Sequence, residues 1–236
     1  MEQSETTRSR SAVSSGDPAE PYLEQICTWV TPRDIQRVLL VCAERASLTP
    51  AGVNCWPTAQ VETASEIGAG PTQGTPPYDL IICWYPAQWQ EHVDALPAKL
   101  APLLAPGGRL AIVDLLAPGR RLRGKRGRQW RDAGVYFNAL LSLRNGHPTN
   151  ALSIHEWQDA LIGRNFVVEQ QVTRNTRVEL SYWSARLQPP DSVRLQAMLR
   201  QAPEKVQEFL TPQFGNARID FCLSELILVA RLGTAD

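Results

Sequence analysis

His147 and His155 carry the one side chain whose ordinary titration falls near neutral pH, so either can take or give a proton during a reaction. His147 sits in the polar stretch Leu143-Arg144-Asn145-Gly146-His147-Pro148, where it serves as a general base or as a loop or helix-capping residue. His155 falls in the first turn of an expected helix and reads as exposed. Asp79 opens one apolar run and Asp114 closes another. A carboxylate at the carboxyl end of a parallel strand faces a ligand crevice, or is simply a solvated strand end. Trp84, Tyr85 and Trp89 follow the same run, where they wall an apolar pocket or pack in the core or an interface. Asn138, on a later expected helix, joins Asp114 and Trp89 as a crevice candidate. Arg120, Arg121, Arg123, Lys125, Arg126, Arg128 and Arg131 form the densest charge feature. They suit phosphates of a nucleic acid, an acidic lipid surface or an acidic partner, or form a solvated loop.

These side chains are held by a chain of 236 residues with 43 % hydrophobic content, enough for one domain with a real core. Lys plus Arg equals Asp plus Glu, at 24 each, which argues against nucleic acid as the main partner. The cysteines, Cys27, Cys42, Cys55, Cys83 and Cys222, make no CxxC pair and read as buried thiols, with no metal expected. No apolar run approaches the roughly 20 residues that span a bilayer, and the start has no apolar leader. These features fit a cytoplasmic protein.

Residues 1–20 are polar and read as a disordered tail, ahead of an α/β domain over 21–236. A helix is expected over Pro21–Val30. Val38-Leu39-Leu40-Val41-Cys42, Leu80-Ile81-Ile82-Cys83-Trp84 and Leu110-Ala111-Ile112-Val113 are continuous apolar runs of the kind a parallel sheet buries on both faces. A helix over Trp89–Leu104, closed by Pro106-Gly107-Gly108, joins the last two as a βαβ crossover. The Gly-broken stretch 120–131 reads as a mobile basic loop, and a helix is expected over Gln129–Leu143. Ser153 and Glu156 form a capping box, Phe166–Gln171 reads as a strand, and 172–218 as a helical insertion. Within it, Asp191–Leu210 is helical with a break at Pro203. Phe221–Arg231 is the last strand.

With the elements in this order, the chain resembles class I S-adenosylmethionine (SAM)-dependent methyltransferases, in particular the small-molecule group similar to quinone-biosynthesis enzymes. The motifs are LAPLLAPGGRLAIVDLLAP (Leu100–Pro118), the YDLIICW strand, FNALLSLRNGHPTNALSIHEWQDALIGRNFVVEQ (Phe137–Gln170) and the terminal FCLSELILVARL. The resemblance implies a reduced Rossmann-like, doubly wound, mostly parallel sheet with flanking helices and an antiparallel last strand. It places Cys42, Ala43, Glu44, Trp84 and Tyr85 at the cofactor, with Glu62 or Glu44 for the ribose hydroxyls, and makes Asp79 structural. It also favours His147 over His155 as base. The chain departs from the family where the first strand ends. Cys42 is followed by Ala43-Glu44-Arg45-Ala46-Ser47 with no glycine until Gly52, where the family has a glycine-rich turn. The stretch between the first strand and YDLIICW is also short, with room for one short strand near Gly52–Trp56 or Gln60–Thr63.

Three functions follow as expectations. The chain is a degenerate methyltransferase-like protein with reduced or lost SAM binding, acting as a structural or regulatory subunit. Alternatively it is an active SAM-dependent methyltransferase on a small apolar acceptor, or its crevice is remodelled for another small ligand. The expected partner is another protein or a second copy, with peripheral membrane contact through the basic loop as a further expectation.

Overall fold

In the computed structural model of the chain, residues 20–31, 34–42, 56–65, 77–88, 92–216 and 218–233 are described. The expected tail therefore lies outside the described residues except for Glu20, which opens helix α1 (Glu20–Trp29). Three apolar runs become parallel strands: β1 (Arg37–Cys42), β3 (Tyr78–Trp84) and β4 (Leu104–Leu115). Strand β2 (Gln60–Ala64), at the second of the two expected places, pairs parallel to β1. The final long strand, β7 (Ile219–Leu232), runs antiparallel beside β4, and β5 (Phe166–Glu179) pairs antiparallel on its other side. The sheet order is β2-β1-β3-β4-β7-β5, with a two-residue strand β6 (Gln213–Phe214) also on β7. This is the mostly parallel, Rossmann-like α/β sheet that the apolar runs imply, with its antiparallel last strand.

Alternating side chains of these strands feed two separate cores, which is why the runs are apolar without interruption. Leu39, Val41, Ile81, Cys83, Leu110 and Ile112 face one layer. Helices α2 (Leu96–Leu100), α3 (Gly124–Asn145), α4 (Ile154–Ile162), α6 (Pro189–Arg200) and α7 (Glu204–Leu210) cover that layer. Val38, Leu40, Cys42, Leu80, Ile82, Ala111 and Val113 face the other, where α1 packs through Leu23 and Ile26. A four-residue helix, α5 (Leu180–Trp183), follows β5 directly.

Several elements depart from expectation for identifiable reasons. The helix expected over Trp89–Leu104 is, among the described residues, two 3₁₀ turns flanking α2, because Pro97 and Pro102 each remove a backbone donor. The residues Pro106-Gly107-Gly108 lie inside β4 rather than before it; Gly107 takes φ +74° where the β3–β4 register shifts. The insertion expected over 172–218 begins as sheet, since β5 continues to Glu179 with polar side chains along an edge strand. Pro203 separates α6 from α7 as expected. Cys27 is disulfide-bonded, which corrects the reading of every cysteine as a thiol; Cys42, Cys83 and Cys222 take part in no disulfide.

The largest correction concerns 120–131. Residues 124 onward form the first turns of α3, so Lys125, Arg126, Arg128 and Arg131 ride on a helix rather than a mobile loop. Two of its glycines are places of close approach. A Cβ on Gly127 would stand 1.9 Å from the Leu122 carbonyl oxygen, and one on Gly134 would stand 2.9 Å from that of Pro118. The strap 118–122 thus lies directly on the helix. Replacing an exposed helical glycine by alanine ordinarily gains about 1 kcal/mol of propensity. At Gly127 the clash is with backbone and no rotamer relieves it. Gly127→Ala should therefore lose about 1–3 kcal/mol, read as a lower urea midpoint at unchanged slope.

Candidate functional site

In a doubly wound sheet the ligand crevice lies outside the carboxyl ends of the parallel strands. Here those ends are Cys42, Ala64, Trp84 and Leu115. Ala43, Glu44 and Trp89 of the expected crevice lie outside the described residues. Cys42 and Trp84 are register partners and both are buried in the layer beneath α1. Trp84 is boxed edge-to-face by Tyr22 at 5.5 Å and Tyr85 at 5.4 Å.

Tyr85 leaves the end of β3 with φ +47°, a backbone conformation that L side chains rarely adopt. Its amide donates to the Val113 carbonyl at 2.7 Å, and its hydroxyl donates to Glu225. Glu225, on β7 opposite Leu115, is 6 % exposed. It also accepts from the hydroxyls of Tyr22 and Thr176, each at 2.7 Å. Arg174 lies 5.3 Å above the Tyr22 ring. Burial, then the hydrogen bond to Glu225, pushes the Tyr22 hydroxyl up to about 12. Burial and the charge of Glu225 push Tyr85 higher still. Sequence reasoning missed Tyr22, Thr176 and Glu225. The signal available was the single carboxylate interrupting the apolar run Phe221–Leu232.

Asp114 closes β4 with no exposed surface. Its carboxyl accepts from its own neighbour Leu115 at 2.9 Å and, across the strand end, from the Ala87 amide at 3.4 Å. Burial raises its pKa well above the group's ordinary value, and burial, then the Asp114 carboxylate, raises the Cys83 thiol. Asp114 therefore acts as a backbone clamp at the turn after β3.

Glu62 stands in the middle of β2, and its carboxylate turns to the first residues of β1 and β3. It accepts from the Tyr78 hydroxyl at 2.8 Å and pairs with Arg37, whose guanidinium lies 4.6 Å over the Tyr78 ring. The Tyr78 hydrogen bond and then Arg37 hold Glu62 below the usual range. Asp79, read as structural, accepts from the Gln36 and Arg37 amides at 2.9 Å each. Asn138 grips the strand of chain leading into α4, donating to the Ala151 carbonyl at 3.0 Å and accepting from the Ala151 amide at 2.8 Å. His147 is exposed beyond α3, and its ring partner is the carbonyl of Pro148 at 2.9 Å. His155 lies beside Gln158 at 3.4 Å. The structure thus brings Trp84 and Tyr85 together at the crevice edge with Glu225, while Glu62 and Asn138 are hydrogen-bonded within the protein and His147 is exposed. A separate open groove of about 780 Å³ runs between His92–Asp94 and α4, lined also by Asn150, Glu156 and Arg164. Among the described residues no cluster of His, Cys, Asp and Glu suits a metal ion. No helix among them is long and apolar enough to cross a membrane.

No protein-family model matches the chain. Over 116 residues it is 25 % identical to YafE of Escherichia coli K12, described as an uncharacterized protein. The match spans 49 % of this chain and 51 % of that one, so the chain spans about half the length of the curated relative it matches. A Bacillus halodurans protein described as a "putative methyltransferase" superposes with a TM-score of 0.73 over 90 % of this chain and 99 % of its own, at 16 % identity. YcgJ of Bacillus subtilis superposes at 0.70 over 91 % and 99 %, at 17 % identity. At these identities the likeness is one of fold. That fold is the Rossmann-like α/β fold, shared with a protein described as a methyltransferase.

Three outcomes test this geometry. Tyr85→Phe removes a donor from a buried carboxylate and should cost about 1.5–3 kcal/mol in denaturant unfolding. Because Tyr22 titrates near 12 rather than 10, its contribution is complete below pH 10 and is lost as pH rises toward about 12. Asp114 has the same sign at the acid end. Its folded pKa is raised, so its contribution is complete below 3.8 and fades as pH climbs through the raised value. Asp114→Asn should flatten that part of the stability–pH curve, measured as denaturation midpoints across acid to neutral pH.

Proposed function

We propose that this methyltransferase-fold chain has reduced or lost SAM binding and serves as a structural or regulatory subunit. The observation that carries the reading is the commitment of Glu62. The acidic side chain on the strand beside β1 is bound to Arg37 and Tyr78 toward the amino-terminal ends of β1 and β3, away from the crevice. The other two described carboxylates of the crevice edge do not fit the ribose hydroxyls either. Asp114 is fully buried against backbone amides, and Glu225 is surrounded by three hydroxyl donors. The sequence supports the same reading, since Ala43–Ala51 contains no glycine to let backbone approach an adenosyl group. Carboxylates already engaged in this way gain little from a polar nucleoside and lose the hydrogen bonds they must break.

Calorimetric titration and thermal-shift assays with SAM and S-adenosylhomocysteine test this. The expected result is no heat and no change in melting temperature at millimolar nucleoside. Micromolar binding of either compound would overturn the proposal and favour the active methyltransferase.

A further inference from the structure

The basic run divides into spent and unspent charges. Arg120 stacks 4.5 Å over the Trp130 ring and reaches Glu208 at 3.8 Å, and Arg121 pairs with Asp159. Arg123, Lys125, Arg126, Arg128 and Arg131 are all exposed, and among the described residues none has a carboxylate partner. Lys125, Arg128 and Arg131 recur every third residue along α3, and helical geometry puts them on one flank, opposite buried Trp130, Ala133 and Phe137. Val135, 72 % exposed, extends the same flank by one turn, and Leu122, 42 % exposed, borders it from the strap. The first turn of α3 holds no acidic residue and Arg123 makes no side-chain cap, so the positive end of the helix dipole adds to these cations. In a chain with 24 charges of each sign, this is a local concentration and not a global field.

We infer that this face of α3, with Leu122 and Arg123 of the strap, docks on an anionic lipid surface. The cations meet headgroup phosphates and carboxylates, and Leu122 and Val135 enter the interfacial layer. The apolar pair decides between occupants. A nucleic acid would satisfy the cations, but its phosphate backbone gives two protruding aliphatic side chains no apolar layer. Single-stranded nucleic acid is also held by exposed aromatic side chains. The one aromatic ring at this end of the helix, Trp130, is 5 % exposed beneath Arg120 and Lys205.

Pelleting of the full chain with phosphatidylcholine vesicles, with and without phosphatidylserine, tests the assignment. Binding should appear only with phosphatidylserine and should weaken as salt rises. Each cation near an anionic leaflet adds about five-fold to partition, so Lys125→Gln, Arg128→Gln and Arg131→Gln combined should weaken binding about 100-fold. Leu122→Ser with Val135→Ser should weaken it several-fold at constant charge. Circular dichroism and melting temperature establish that both variants fold. Failure to pellet with either vesicle, equal pelleting with both, or a triple variant that binds undiminished would overturn the inference. So would salt-sensitive binding to a single-stranded RNA that phosphatidylserine vesicles do not displace, which would assign the face to nucleic acid.

Discussion

A carboxylate taken out of water must recover its hydrogen bonds from the protein, and Glu225 recovers them from three different elements. Tyr22 comes from α1, Tyr85 from the end of β3 and Thr176 from β5, while Glu225 itself belongs to β7. One buried charge therefore fixes the helix on the second face, the mouth of the parallel strands and the antiparallel half of the sheet to each other. The left-handed backbone of Tyr85 is understandable in that light. A non-glycine residue in that region is strained, and it persists where surrounding contacts over-determine it. Here a backbone bond to Val113, an edge-to-face indole and a charged acceptor together do so.

The amino-terminal side of the sheet has a counterpart. Asp79 holds two consecutive amides where β1 begins, and Glu62 joins Arg37 to Tyr78 across β1, β2 and β3. These carboxylates hold the first residues of the strands together. The sheet gains order at both ends, and the described crevice keeps few polar groups free for anything else.

The sheet was legible in the sequence because strands buried on both faces leave unbroken apolar runs, as at Val38–Cys42 and Leu80–Trp84. Ser153 and Glu156 announced α4 because a capping box needs only local chemistry, and both of its bonds are present. The features that escaped depend on contacts remote in sequence. Glu62 reads as a ligand for a nucleoside until Arg37 and Tyr78 are brought to it. Gly127 reads as a break because its neighbour, the strap, is visible only when folded. Glu225 and Tyr22 are separated by 203 residues, and no periodicity links them. The outer half of β5 is polar, so nothing in its composition distinguished an edge strand from an insertion.

The contact of the strap with α3 has an entropic consequence. Gly127 and Gly134 let the backbone of 118–122 rest on the helix, and Arg120 clamps it through Trp130. A flexible basic loop would have to surrender its conformational freedom each time it met another surface. A strap already pressed against a 22-residue helix has surrendered that freedom during folding, so the cations of the helix beside it are spaced before any encounter.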